Sequence, residues 1–543
     1  MSHYQDLFAQ QNLPKEHLPS FLLDNPQFQH PEELNCAYRL LDHHIDKGDG
    51  NRICIRSEYG NWTYKQLQEK SNQIAHVLTK DLGLKSGNRV LLRSANNPML
   101  VACWFGVIKA GGIVVTTMPL LRSKELNTII EYAEISHVLC DKRLHEEIDA
   151  CNGTFVKHKA FFDGTLREKF SLEMAMEKHA TTFSNFNSLQ DDVALIGFTS
   201  GTTGKPKMTA HYHRDILNIC EAFPPFALQP HADDIFTGSP PLGFTFGLGG
   251  LVLFPMYFGA SSYLIEKPSP DILLSAVEKE KITICFTAPT AWRIIQTKVG
   301  EYDISSLRKC VSAGESLPKK VWHDWHNATG LKIIDGIGAT EMLHIFISAN
   351  GEHMKPGATG VAVPGYEAKL VDDNGNEVPP NTEGKLAVKG ITGCRYLNRP
   401  EKQREYVKNG WNLTGDIFTR DEDGYFWYVS RSDDMIISSG YNISAVVVEA
   451  TLLGHPDILE CGVIGIPDEE RGMLVCAHIV LKNQALGSDE KAKEIQDWFK
   501  QNAAPYKYPR KIVFTSCLPK TQTGKIQRYK LKQEAPKSEA NGI

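Results

Sequence analysis

Short apolar runs recur through the first two thirds of the chain, at residues 90–92, 112–115, 193–196 and 282–286. Each is too short for a buried helix and rich in β-branched residues, so each reads as a buried strand. Between them apolar positions recur at helical spacing, as over 64–79 and 270–280. Strands alternating with amphipathic helices predict an α/β fold with mainly parallel sheets flanked by helices. The pattern changes after about Pro364. Residues 367–373, 384–388 and 424–429 read as short strands separated by Asn-Gly and Asp-Gly turns, a β-rich subdomain. A smaller α+β unit follows, with helices over 446–453 and 489–501, the second capped by Ser488, and strands at 461–465 and 477–481. The expected division is a large N-terminal domain, 1–432, and a small C-terminal domain, 433–543.

Composition narrows the function more than the fold. Apolar residues at 42% and charged residues at 23% are ordinary for a soluble globular protein. A net charge of -5 leaves no basic footprint for nucleic acid or an anionic membrane. The start, Met1-Ser2-His3-Tyr4-Gln5-Asp6, lacks the pattern of a signal peptide. No charged residue occurs from Ile235 to Ile265, long enough to suggest a membrane span. Pro240, Pro241, Pro255 and the glycines from Gly243 to Gly250 predict instead a tightly turned core segment. Twelve cysteines without a C-x-x-C pair predict free thiols in a reducing, cytoplasmic setting.

Candidate chemistry begins at Phe198-Thr199-Ser200-Gly201-Thr202-Thr203-Gly204-Lys205-Pro206-Lys207, directly after a predicted strand. Glycines let backbone N–H groups turn toward an anion, hydroxyls add donors and two lysines add charge, which together suit a polyphosphate. A Walker-type loop is excluded, because it would need glycine at 199 and a hydroxyl residue at 206.

The string resembles the phosphate loop of the acyl-adenylate-forming superfamily, which includes acyl- and aryl-CoA ligases, luciferases and peptide-synthetase adenylation domains. Further stretches resemble that superfamily's motifs in order: 311–318 (VSAGESLP), 335–341 (DGIGATE), 411–416 (WNLTGD), 430–434 (SRSDD) and 519–526 (PKTQTGKI). The resemblance covers roughly residues 34–531. It implies an adenylation domain followed by a small mobile lid, with ATP and CoA as co-substrates and Mg²⁺ as cofactor. It assigns phosphate contacts to Thr199, Ser200, Gly201, Thr202, Thr203, Gly204 and Lys207. Nucleotide contacts fall to Gly314, Glu315, Ser316, Asp335, Gly336, Ile337, Gly338, Thr340, Asp416, Tyr428 and Arg431. Glu341 is the implied magnesium ligand and Lys525 the catalytic cation. A carboxylate attacking ATP brings two anions together, so a mobile ammonium between them has a physical reason to exist. Asp433 is the implied hinge, and Ser439, Gly440 and Tyr441 the CoA face.

For the acid, the resemblance points to Phe244, Thr245, Phe246, Leu343 and His344. Aromatic and apolar side chains suit a flat ring, and His344 could meet its edge or an ortho substituent. The run from Asp335 to Phe346 looks like aryl-CoA ligases, and Ala210-His211-Tyr212-His213-Arg214-Asp215 leans toward those for 2-aminobenzoate, ahead of benzoate. A medium-chain fatty acid is the runner-up. Loading of a carrier protein is a second alternative, and a non-catalytic nucleotide sensor fits poorly with Lys525 and Glu341 both present. The chain departs from common family residues at Phe244 (histidine), Ile337 (tyrosine), Ile437 (lysine), Val447 (glutamate) and Ser430 (glycine).

Overall fold

The computed structural model describes residues 2–164, 169–199, 206–432, 434–438, 441–468, 471–503, 505–520 and 525–534. The N-terminal part holds two large sheets. One has six strands in the order His158–Phe162, His137–Asp141, Arg89–Arg93, Ile113–Thr117, Val193–Thr199 and Lys207–Tyr212, parallel except for the last. The other has nine strands, of which Ile53–Arg56, Ser261–Tyr263, Ile235–Gly238, Ile284–Thr287, Lys309–Ala313 and Ile333–Gly338 form a parallel centre.

Helix Pro98–Lys109 is buried at all twelve positions, as expected of a helix apolar on every side. Asn97 caps it by accepting from Leu100 N at 2.9 Å, and Pro98 supplies the preset first turn. It packs on Tyr64–His76. A β-carbon at Gly106 would stand 2.6 Å from Ile74 Cγ2, so glycine permits that approach.

The predicted strands are present, with three starts displaced inward, one of them because Gly424 and Tyr425 form the turn before Phe426–Arg431. Gly112 and Ile282 lie before their strands because their N–H groups bond Val107 O and Val277 O and so finish the preceding helices. The uncharged stretch differs more. Its glycine-rich part is not tightly turned: Thr245–Leu248, a π-helical Gly249–Leu253 and Phe254–Tyr257 run on as one helical rod. The glycines serve close packing there, since a β-carbon at Gly250 would stand 2.7 Å from Phe286 Cδ1. No helix among the described residues is long and apolar enough to cross a membrane.

The β-rich part is an antiparallel sheet of Tyr366–Val371, Gly384–Gly390, Val407–Lys408, Trp411–Arg420 and Phe426–Arg431. A seam joins it to the six-stranded sheet. Ala210 N bonds Arg395 O and Leu397 N bonds Met208 O, each at 2.9 Å. Beside the seam the buried Arg395 pairs with the buried Asp215 at 2.6 Å and stacks over Tyr212.

The C-terminal α+β unit begins with the hairpin Met435–Ser438 and Tyr441–Ser444 and helix Ala445–Leu452. Ile458–Asp468, Gly472–Leu481 and Lys511–Phe514 form its sheet, covered by Asp489–Asn502, which Ser488 caps as predicted. Arg528–Glu534 packs on the first of those strands. Ser430 is fully buried, and Ser444 bonds Val429 O while capping Val447 N.

Candidate active site

Strand ends gather the predicted residues. Strand Val193–Thr199 delivers Thr199, whose buried hydroxyl oxygen meets no partner among the described residues. Ser200 to Lys205 lie outside the described residues, and Lys207 begins the returning strand. Lys207 Nζ donates to Tyr396 OH at 2.8 Å, and Tyr396 OH donates to Glu341 Oε1. Lys207 Nζ and Glu341 Oε1 are 3.8 Å apart. Glu341 is 7% exposed, on the short turn Thr340–Met342 that follows strand Ile333–Gly338.

Asp416 and Arg431 face each other across paired strands. Arg431 Nη1 donates to Asp416 Oδ1 at 3.3 Å and to Thr414 O at 3.0 Å. Burial raises the Asp416 pKa, opposed chiefly by the Arg431 charge. Gly415, at φ +80°, leaves room for the guanidinium, since a β-carbon there would stand 3.0 Å from Arg431 Nη2. Tyr428 lies on the same strand as Arg431, and burial pushes its phenol up.

Lys525 crosses from the C-terminal unit to this cluster. Its loop is held by Gln527 N bonding Pro519 O at 2.8 Å, while residues 521–524 lie outside the described ones. Lys525 Cε stands 3.8 Å from where a β-carbon on Gly314 would be, and Gly314 has φ +92°. The Lys525 side chain keeps an exposed face, yet desolvation of its ammonium lowers the pKa, opposed by the charges of Glu315 and Asp416. Burial pushes the Glu315 carboxyl up to about 7, with Lys525 the strongest opposing charge. Nearby, burial pushes Asp335 up to about 8, and its Oδ1 meets no partner. Ser316 and Ile337 are half-buried beside it. Gly336 and Gly338 lie where a β-carbon would meet Ile345 and the His344 backbone.

A narrow cleft opens beside Thr340, lined also by Gly197, Gly243, Phe244, Thr245 and Leu248. Of the residues expected at the acid, Phe246, Leu343 and His344 do not line it. Leu343 is fully buried at φ 68°, a conformation that non-glycine residues rarely take. It reverses the chain so that Glu341 and His344 occupy opposite ends of one turn. That turn is fixed by Thr392, whose hydroxyl donates to Met342 O at 2.7 Å and shares a hydrogen bond with Tyr366 OH at 2.8 Å. His344 is 2% exposed and boxed by Phe254 (4.5 Å between centroids, edge-on), Phe223 (5.7 Å) and Phe246 (5.8 Å). Phe286 lies 5.6 Å from Phe246. Burial pushes His344 down to about 3, against the opposing pull of the Phe246 backbone, so the imidazole is neutral.

Tyr396, Thr392, Phe223, Phe254 and Phe286 carry no motif, and sequence reading missed them. Of the predicted CoA face, Ser439 and Gly440 lie outside the described residues, as does Asp433, and only the backbone of Tyr441 is described, in the hairpin. The side chain of Ile437 is likewise outside.

Residues 41–395 match the AMP-binding enzyme family model, and 447–525 match the AMP-binding enzyme C-terminal domain. The chain belongs to the AMP-binding enzyme family. Benzoate–CoA ligase of Thauera aromatica is 32% identical over 93% of this chain and 97% of its own length. The mitochondrial acyl-coenzyme A synthetase ACSM3 of Homo sapiens is 31% identical over 93% of this chain and 90% of its own. Among solved structures, the anthranilate CoA ligase AuaEII in complex with anthranoyl-AMP superposes with a TM-score of 0.88 at 35% identity, covering 93% of this chain and 98% of that one. A benzoate CoA ligase from Burkholderia xenovorans LB400 gives 0.84 at 29% identity, covering 92% and 100%. The protein is an enzyme of the acyl-CoA synthetase kind, as its ordered motifs implied.

Proposed function

We propose that this enzyme activates an aromatic carboxylic acid, 2-aminobenzoate first and benzoate next, as an acyl-adenylate and passes the acyl group to CoA. The observation that carries the reading is Lys525, which reaches from the C-terminal unit to Gly314 and to the Glu315 and Asp416 charges. In the first step the substrate carboxylate oxygen bonds the α-phosphorus of ATP and pyrophosphate leaves, while Lys525 offsets the charge gathered between the two anions. In the second the CoA thiol, losing its proton, bonds the acyl carbon and AMP leaves. Asp416 accepts from the ribose hydroxyls and Arg431 holds Asp416 in place.

The setting around Glu341 fits Mg²⁺. It joins a nearly buried carboxylate to a phosphate-side hydroxyl, Thr199, that lacks a partner among the described residues. Bound there, the ion would neutralise phosphate charge. With Lys525 on the nucleotide side, the arrangement suits the first step. The second then calls for rotation near Asp433, the boundary we place between 1–432 and 433–543, to bring the 439–441 face to the thiol.

An aromatic acid is favoured by Phe244 in the lining of the cleft, and by relatives named for benzoate and anthranilate. The test supplies ATP, Mg²⁺ and 2-aminobenzoate, benzoate or a medium-chain fatty acid, and measures pyrophosphate, AMP and thioester with and without CoA. CoA-dependent turnover strongest with an aromatic acid is expected. Preference for the fatty acid overturns the substrate, pyrophosphate exchange without thioester favours a carrier-protein acceptor, and no turnover overturns the activity.

A further inference from the structure

The geometry points to Tyr396 as a positioning residue whose phenol keeps Lys207 and Glu341 apart, so that each stays available to the magnesium nucleotide. This rests on reading Glu341 as the cation-binding carboxylate. The hydroxyl stands between them, accepting from Lys207 Nζ at 2.8 Å and donating to Glu341 Oε1. A phenol can do both at once, whereas a carboxylate and an ammonium left alone at 3.8 Å attract and close into a direct pair. Such a pair would occupy the carboxylate that should meet the cation and the ammonium that should meet phosphate. The spacer engages one carboxylate oxygen of Glu341 and leaves the other open.

Tyr396 is itself fixed, so it cannot yield when the two charges pull on it. It is 1% exposed, and its backbone N–H bonds Gln403 Oε1 at 2.9 Å. The Gln403 amide in turn donates to Cys394 O and His17 O. Tyr406 packs edge-on against its ring at 5.6 Å, and Thr209 pairs with it across the seam.

The experiment compares wild type, Tyr396→Phe and Tyr406→Phe by calorimetric titration with MgATP in the absence of acid, and by the Mg²⁺ concentration needed for half-maximal binding. Tyr406 OH is buried without a hydrogen-bond partner, so its removal is a matched control one ring away. Tyr396→Phe should weaken MgATP binding about 10- to 100-fold and raise the Mg²⁺ requirement, leaving the KM for the acid unchanged. Tyr406→Phe should leave all three at wild-type values. A Tyr396→Phe protein with a lowered Tm and wild-type MgATP binding would show a merely structural role and overturn the inference. Should Tyr396→Phe prove too unstable to titrate, Gln403→Met, which frees the Tyr396 backbone, must weaken MgATP in the same direction or the inference falls. Glu341→Gln separates the two readings. If it leaves the Mg²⁺ dependence intact, the carboxylate reading fails first, whereas a lost dependence beside a normal Tyr396→Phe protein removes the spacer alone.

Discussion

The nucleotide end and the acid end of the site are built in opposite ways. Lys207, Glu341, Asp416, Arg431 and Lys525 bring charge from five separate segments, and Lys525 belongs to the C-terminal unit. Around His344 there are rings and glycine backbone, all from the N-terminal part, closely enough packed to hold the imidazole neutral. The contrast separates two jobs. On the proposed reading, charge stabilisation would use groups that arrive and are held by one another, whereas recognition of the acid would depend on a dry shape that a single methyl group could spoil.

The largest effect should follow from Lys525→Ala. Pyrophosphate release should fall about 10²- to 10³-fold with any acid, the size expected for losing one group that meets developing charge. An equal loss in acid preference would blur the contrast. Next come Phe244→Ala and His344→Ala, which should change the ratio of kcat/KM between 2-aminobenzoate and a fatty acid about 10-fold or more, with the KM for ATP steady. If neither moves that ranking, the acid end has been misplaced. Gly249→Ala is a subtler probe of the dry end. A β-carbon there would stand 2.3 Å from His344 Cδ2, so the ring must shift, at a cost of about 1–3 kcal/mol in stability. Thermal melting would register it, together with an altered acid ranking.

The smallest effect concerns Asp335. Its folded pKa is raised from 3.8 to about 8, so the folded protein holds a proton there that the unfolded chain loses sooner. This group's contribution therefore falls as pH climbs through that window. Asp335→Asn removes the titration, and the drop in Tm from about pH 5 to about pH 8 should shrink by several degrees. An unchanged slope would mean that the carboxyl is better solvated than its burial implies.

Chain reading reached the charged end because each of its groups sits in a contiguous stretch that resembles a superfamily motif: the glycine-rich string ending at Lys207, the Thr-Gly-Lys turn at Lys525 and the Thr-Gly-Asp at 416. The parallel sheets were legible for a similar reason, since strands buried on both faces leave uninterrupted apolar runs. Tyr396 was invisible, because nothing near it in sequence anticipates Glu341, and only the seam with strand Lys207–Tyr212 brings them together. Phe223, Phe254 and Phe286 looked like ordinary core, and most of their surface is core. The glycines of 243–250 misled for a physical reason. Glycine weakens a helix on average, but here its lack of a side chain is what lets the rod lie against Phe286 and His344.

The seam has a mechanical consequence. Backbone bonds on either side of residue 209, locked by the Asp215–Arg395 pair, stitch the segment that follows strand Gly384–Gly390 onto the edge of the six-stranded sheet. That segment ties the β-rich part to the six-stranded sheet, so the portion up to Arg431 should melt in one cooperative transition. A proteolytic nick in the turn between Val371 and Gly384 would then leave both fragments bound together until the whole body denatures.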